Sequence, residues 1–466
     1  MNRRILGLAL PNIITNITVP LLGMVDMAIV GRLSASHIGA IAIGGQIFNL
    51  IYWNFGFLRM GTSGFTAQAY GAKNMDEAVR IVVRALSIAA FVALLLLVLQ
   101  RPLSWLSLQI FKSTPEVIRL ALVYFFVRIW AAPATLGLYA VKGWFIGMQN
   151  SRLPMWIAIF LNCVNIICSL LFVIVFHWGI GGVALGTVIA QYSGLAVGLF
   201  FLRRELRKIK PQVTISMRLM PLLKESLHWD ELRRFFKVNG DIFLRTVCLA
   251  TVFTFITAAS GRISAEVLAI DALLMQFFTL FSYIMDGFAY AGESLVGRYI
   301  GARDLRNLKL TVRLLMAWGV LITAIFTVLY AFGGEWGLRI FSDKPEIIEG
   351  AKDYLFWILT IPVCGFAAFL FDGIYVGATA SRTMLGSMVV ATAFFFIVYY
   401  LGKSLFLGGV EDHGRMWNNI LWASFMVYLL LRGLMQALFL KKSIYNQITS
   451  DAESAVGTQS IQCNNN

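Results

Sequence analysis

The chemistry in this chain begins with acids placed where acids are costly. Asp26 follows Pro20-Leu21-Leu22-Gly23-Met24-Val25 and precedes Met27-Ala28-Ile29-Val30, and no other Asp or Glu occurs before Asp76. A carboxylate at membrane depth costs several kcal/mol when charged and unpaired, so it faces protein or a wet cavity and is neutralised by a proton, a bound cation or a basic partner. Asp26 is therefore a candidate proton or cation site. The alternative is a structural carboxylate pinned to an arginine such as Arg32 or Arg128. Pro11 and Pro20 remove backbone donors from the same stretch, which predicts a bent helix that can bend differently in two states.

Polar side chains recur at helical spacing in otherwise apolar runs. Asn162, Asn165 and Ser169 fall at i, i+3 and i+7, and Thr187 with Gln191 forms an i, i+4 pair, so each set shares one helix face. With Asn12, Asn16 and Asn49 they could line a polar cavity; hydrogen bonding between helices without any ligand explains the same residues. Further on, Tyr283, Asp286, Tyr290 and Glu293 lie at i, i+3, i+7 and i+10, an acidic and aromatic stripe that suits a cation. Asp271, Gln276 and Asp372 with Tyr375 extend that set. Asp241 and Arg245 stand at i, i+4 and are expected to pair with each other.

Enzymatic signatures are missing: the sequence has no Walker loop, HExxH, nucleophile elbow or dinucleotide fingerprint. Neither catalysis nor a resident cofactor is expected. The five cysteines, Cys163, Cys168, Cys248, Cys364 and Cys463, lack CxxC spacing, and no metal site is predicted.

These residues need helices in a bilayer to position them. Of 466 residues, 59% are hydrophobic and 14% charged, with a mean hydropathy of +0.75. Soluble domains carry about 25% charged residues, so a water-soluble fold is excluded. At roughly 20 residues per span, apolar stretches near 5–30, 38–66, 79–100, 119–142, 153–176, 180–202, 238–259, 268–297, 310–332, 351–376, 384–406 and 417–440 predict twelve transmembrane helices. The net charge of +15 is read as basic loops held on the cytoplasmic side rather than as nucleic-acid binding. That places both termini in the cytoplasm. Residues 203–237 hold the densest basic run, Arg203, Arg204, Arg207, Lys208, Lys210, Arg233, Arg234 and Lys237, and are expected to form a linker facing anionic headgroups. The polar tail, 441–466, is expected to be disordered.

An internal repeat organises the whole. Gly31-Arg32-Leu33-Ser34-Ala35 returns as Gly261-Arg262-Ile263-Ser264-Ala265, Gly71-Ala72-Lys73-Asn74 as Gly301-Ala302-Arg303-Asp304, and Pro115-Glu116-Val117-Ile118 as Pro345-Glu346-Ile347-Ile348, each 230 positions on. Six spans per unit return the chain to its starting side. The predicted architecture is therefore all-α, with a six-helix lobe at 1–202 and a second at 238–440, related by a pseudo-twofold along the membrane normal. Such an arrangement suits a transporter holding its substrate between halves.

The residues that carry a family resemblance are Pro11, Val25-Asp26-Met27-Ala28-Ile29-Val30-Gly31, Gln68-Ala69-Tyr70-Gly71-Ala72, the string from Asp286 to Gly297, and Asp372-Gly373-Ile374-Tyr375-Val376-Gly377-Ala378-Thr379. Over residues 1–440 the chain resembles the multidrug and toxin extrusion family, in its DNA-damage-inducible protein F branch. The resemblance implies an inner-membrane antiporter, monomeric, that expels amphipathic, often cationic compounds in exchange for H+ or, alternatively, Na+ by alternating access. It also implies that Asp26 is the protonation or cation site, with Asn165 and Thr187 as its polar neighbours and Pro11 marking a bending helix. Ser169 departs from the pattern, standing where many relatives carry a second aspartate, which weakens a sodium site. A lipid-linked precursor flippase of the same superfamily is the other reading; it should carry cations in its cavity, whereas the acids dominate here.

Overall fold

A computed structural model describes residues 1–30, 34–110, 113–216, 219–406 and 413–448, and within helices it leaves undescribed the side chains of 19–22, 24, 26–28, 30, 35, 108, 110, 219 and 413. All regular structure among the described residues is helical. In chain order the helices are α1 (Asn2–Val30), α2 (Ala35–Asn54), α3 (Phe57–Gly71), α4 (Met75–Val98), α5 (Gln100–Ile110), α6 (Pro115–Arg128), α7 (Ala132–Gly147), α8 (Arg152–Leu170) and α9 (Gly179–Ile209). They continue as α10 (Leu219–Ser226), α11 (Trp229–Ile263), α12 (Ala265–Gly301), α13 (Leu305–Phe341), α14 (Pro345–Lys352), α15 (Leu355–Gly377), α16 (Ser381–Phe406) and α17 (His413–Leu440).

Eleven candidate spans are long and apolar enough to cross a bilayer among the described residues, and α1, 29 residues with Asp26 as its one acid, is the twelfth. Large apolar side chains face outward along them, Phe332 at 90% exposure and Val98 at 69%, which only lipid contact makes affordable. The protein is an integral membrane protein.

The chain divides into two compact units, Gly7–Asn239 and Gly240 onward together with Met1–Leu6. Their local structure repeats at the same 230-residue spacing as the sequence. Ser34 and Ser264 are N-caps, each accepting from the backbone N–H three residues on, and Asn74 and Asp304 do the same for α4 and α13. Lys73 (φ 57°) and Arg303 (φ 54°) both take the left-handed conformation that ends the preceding helix, as do Gln149 (φ 64°) and Thr379 (φ 51°). Packing repeats too. A Cβ on Gly143 or Gly147 would strike the carbonyls of Arg59 or Ser63, and one on Gly373 or Gly377 those of Ala289 or Glu293, all 230 positions apart. The small-xxx-small pair thus seats α7 on α3 in one unit and α15 on α12 in the other.

Two elements differ from the periodicity. The stretch read as one span at 38–66 is broken between α2 and α3 at Phe55-Gly56, where glycine weakens helical backbone, while α12 runs unbroken through the matching Met285-Asp286. Helical structure also passes beyond 440: Lys441–Tyr445 form a π turn and residues to 448 stay helical, held by buried Ile444 and Ile448. The expectation of disorder over 441–466 therefore fails for 441–448, and 449–466 lie outside the described residues.

The basic segment 203–237 is largely helical and is fastened to α4. Thr214 and Ile215 donate backbone N–H groups to the Asp76 carboxylate at 2.7 and 3.3 Å. Buried Arg84 donates through Nε to the Ser226 carbonyl at 2.9 Å and ion-pairs with Glu77 at 3.3 Å and Glu231 at 3.7 Å.

Candidate functional site

In the unit Gly7–Asn239 the predicted polar residues gather where α8 and α9 touch. Gly186 on α9 makes the approach possible, since a Cβ there would lie 3.0 Å from Ser169 Oγ. Asn165 and Ser169 are fully buried and Thr187 is 4% exposed. The Asn165 amide donates to the Thr187 hydroxyl at 3.0 Å, and that hydroxyl donates to the Val183 carbonyl at 3.2 Å. Among the described residues Asn165 Oδ1 has no donor. Asn162 donates to the Thr18 carbonyl of α1 at 3.2 Å, tying α8 to the middle of the first helix.

Along α1, Asn12 is buried and donates to the Leu8 carbonyl (2.9 Å) and to Ser151 Oγ (3.0 Å), and the Pro11 carbonyl accepts from Thr15 Oγ1 (2.9 Å). Pro11 itself leaves the Gly7 carbonyl without its helical N–H donor, the local change that lets a helix bend. Asn16 and Gln191 are partly buried, and Asn49 is exposed on α2. Asp26 and Pro20 belong to α1, but their side chains lie outside the described residues.

The second unit carries a charge cluster that spacing alone misassigned. Asp372 on α15 is bound by the guanidiniums of Arg432 on α17 and Arg245 on α11, and accepts from Gln436 Nε2 at 3.0 Å. Asp286 interacts electrostatically with both arginines. Arg432 is 2% exposed and Arg245 7%. The expected Asp241–Arg245 pair does not form. Ser381 Oγ, at the first residue of α16, donates to Asp241 Oδ2 at 2.7 Å, where the helix dipole also favours a negative charge, and Arg245 turns to the partly buried carboxylate of Asp372. The expectation that acids dominate the membrane interior fails here for the same reason: two acids meet two guanidiniums. Arg432 and Gln436 went unread, although an arginine with a glutamine one turn later in an apolar helix was a visible signal.

Of the remaining predicted residues, Tyr375 is buried and donates to the Gln436 carbonyl at 2.7 Å, joining the cluster. Glu293 is 1% exposed, Tyr283, Asp286 and Tyr290 are partly buried, and Gln276 is exposed. Asp271 sits in a separate pocket of hydrogen bonds with Ser260, Asn418 and Trp422. No group of three His, Cys, Asp or Glu that could hold a metal ion occurs among the described residues.

Comparison with known proteins agrees with this layout. The MatE family model matches residues 11–171 and 242–401, one match in each unit. The chain is 35% identical over 430 residues to DNA damage-inducible protein F of Escherichia coli (strain K12), covering 92% of this chain and 89% of that protein. It is 22% identical to Multidrug and toxin extrusion protein 1 of Danio rerio, over 98% of this chain and 74% of the relative. In fold it is similar to the Vibrio cholerae MATE transporter VcmN in the bent form, with a TM-score of 0.80 at 17% identity, covering 96% of this chain and 97% of that one. Two matched halves, one repeated helix packing and a relative at this identity lead to one conclusion: the chain belongs to the MatE family of multidrug and toxin extrusion proteins, which are transporters and not enzymes.

Proposed function

We propose that the chain is a secondary antiporter of a bacterial-type inner membrane, both termini cytoplasmic, that exports amphipathic, often cationic compounds in exchange for protons by alternating access. The observation that carries the proton is the unfilled acceptor at Asn165. Its amide spends one of its two N–H groups on Thr187, whose one hydrogen goes to Val183, and among the described residues Asn165 Oδ1 accepts from none. The proton carrier in this reading is Asp26 of α1, assigned by the family resemblance, its side chain lying outside the described residues. When the proton leaves, the carboxylate is charged at membrane depth, and that cost pushes α1 toward another arrangement.

Sodium is served less well. A hard cation leaving water needs about six oxygens, carboxylates foremost, and Ser169 brings a hydroxyl to the place of a second acid. The flippase reading gains Arg245 and Arg432, yet both guanidiniums are tied to Asp372. For the same reason Asp372 suits an organic cation poorly. The experiment is Asp26→Asn: pH-gradient-driven efflux is lost while expression and thermal stability stay near wild type. Efflux at the wild-type rate would make Asp26 structural.

A further inference from the structure

Residues 213–228 run between α9 and α11, both of them candidate membrane spans, so the segment is held at one membrane surface by its two ends. It lies wholly within the unit Gly7–Asn239. Its helix α10 packs on α4: Leu222 and Ser226, one turn apart, are buried, Arg84 donates to the Ser226 carbonyl, and Arg80 ion-pairs with Glu225 at 3.1 Å. The rest of α10 and the start of α11 present apolar side chains outward. Met220 is 77% exposed and Trp229 69%, with Leu227 exposed between them. An open cleft of about 750 Å³ is lined by Met220, Pro221, Leu223, Lys224 and Leu227, four apolar side chains and one ammonium.

The charge of this segment is positive and largely unspent. Over residues 203–237 ten Lys or Arg stand against four acids. Three of those acids are taken, Glu205 by Lys208 at 2.6 Å, Glu225 by Arg80 and Glu231 by buried Arg84, and the fourth, Asp230, lies 3.8 Å from His228. Lys224, like the exposed Arg203, Arg204, Arg207 and Arg233, makes no ion pair among the described residues. We propose that the cleft on α10 binds an anionic phospholipid of the adjoining leaflet, with an acyl chain along Met220, Leu223 and Leu227 and the headgroup phosphate on Lys224. A short helix beside two span ends, apolar outward, with a lysine and a tryptophan at its edge, has the chemistry of the headgroup boundary. A soluble anion leaves the apolar wall in water, and a zwitterionic lipid brings no net countercharge to Lys224 and the arginines. With lipid on one side and Arg84 on the other, α10 is fastened to the bilayer and to α4 at once. The inference is independent of the coupling ion, since none of these residues belongs to the Asn165 and Thr187 site.

The test is quenching of tryptophan fluorescence by brominated lipids, with the full chain in phosphatidylcholine liposomes and the Trp229 contribution taken as the difference between wild type and Trp229→Phe. Brominated phosphatidylglycerol quenches that contribution at a lower lipid fraction than brominated phosphatidylcholine does. Lys224→Gln raises the fraction of phosphatidylglycerol needed for half quenching by about fivefold, the effect of one basic side chain at a membrane surface, and Lys224→Arg keeps the wild-type value. Lys224 is exposed and unpaired, so neither variant puts folding at stake. Equal quenching by the two lipids overturns the proposal, as does a Lys224→Gln titration that superimposes on wild type. A Trp229 signal that neither lipid quenches overturns it too, and leaves the cleft to a protein segment.

Discussion

The Asn165 amide donates to the Thr187 hydroxyl at 3.0 Å and that hydroxyl donates in turn to Val183, while Asn165 Oδ1 accepts from none of the described residues. Ser169 lies one turn along the same face, fully buried. Replacing Ser169 with Asp places a second carboxylate one turn from Asn165 and adds the anionic ligand that a monovalent cation lacks here. Ser169→Asp is expected to make efflux sodium-stimulated at constant pH; transport with and without sodium checks it, and identical rates would count against a ligand-poor wild-type pocket.

Asp372 holds two buried guanidiniums, so removing its charge leaves them facing each other with Asp286 alone in compensation. Breaking a buried pair by deleting one partner costs about 3–5 kcal/mol. Asp372→Asn should destabilise by that order, and Asp372→Asn combined with Arg432→Gln by clearly less, because the double variant restores the balance. Thermal melting in detergent across the four proteins of that cycle decides it; additive losses would mean the residues do not act as a unit.

The repeated glycines carry the helix seats. Gly143→Leu and Gly373→Leu each drive a side chain into the backbone of a facing helix and are expected to cost at least about 3 kcal/mol, beyond ordinary overpacking. Gly198→Ala on α9 is the control. Its Cβ would meet only ordinary contacts of 3.4 Å and more, so it should be neutral or stabilise by up to about 1 kcal/mol through helix propensity. The comparison is again one of melting temperatures.

Asp304 and Asn74 cap equivalent helices, and only one can titrate. The Asn307 backbone N–H, followed by the Asn307 side chain, holds the Asp304 carboxyl below the usual carboxylate range. A depressed folded value means that this stabilisation is complete above the unfolded carboxyl value of about 4 and is lost as pH falls through the folded one. Asp304→Ala should cost about 1 kcal/mol at neutral pH, whereas Asp304→Asn, copying the first unit, should cost little and remove this part of the acid sensitivity. Stability measured from pH 7 down to pH 2 separates the two.

Much of this fold is legible in the sequence, because a bilayer demands long apolar runs and a duplication shows its caps. The turns at Lys73 and Arg303, or at Gln149 and Thr379, are set by residues local to each helix end, and local signals survive in one dimension. The break at Phe55-Gly56 was not legible, since a lone glycine in an apolar run is compatible with either outcome. Partner choice was less so. Asp241 and Arg245 are within reach on one helix, but which carboxylate an arginine takes depends on what α15 and α17 bury beside it. The Asp271 network depends likewise on Ser260, Asn418 and Trp422 converging from two other helices, which no spacing within α12 announces.

The central claim, that a proton and not sodium drives export through the Asp26, Asn165 and Thr187 site, is tested most directly in proteoliposomes with proton and sodium gradients imposed separately. Transport of a fluorescent organic cation should follow the pH gradient in sodium-free buffer and collapse on addition of a protonophore. Transport that follows a sodium gradient at constant pH, and ignores the protonophore, would contradict it.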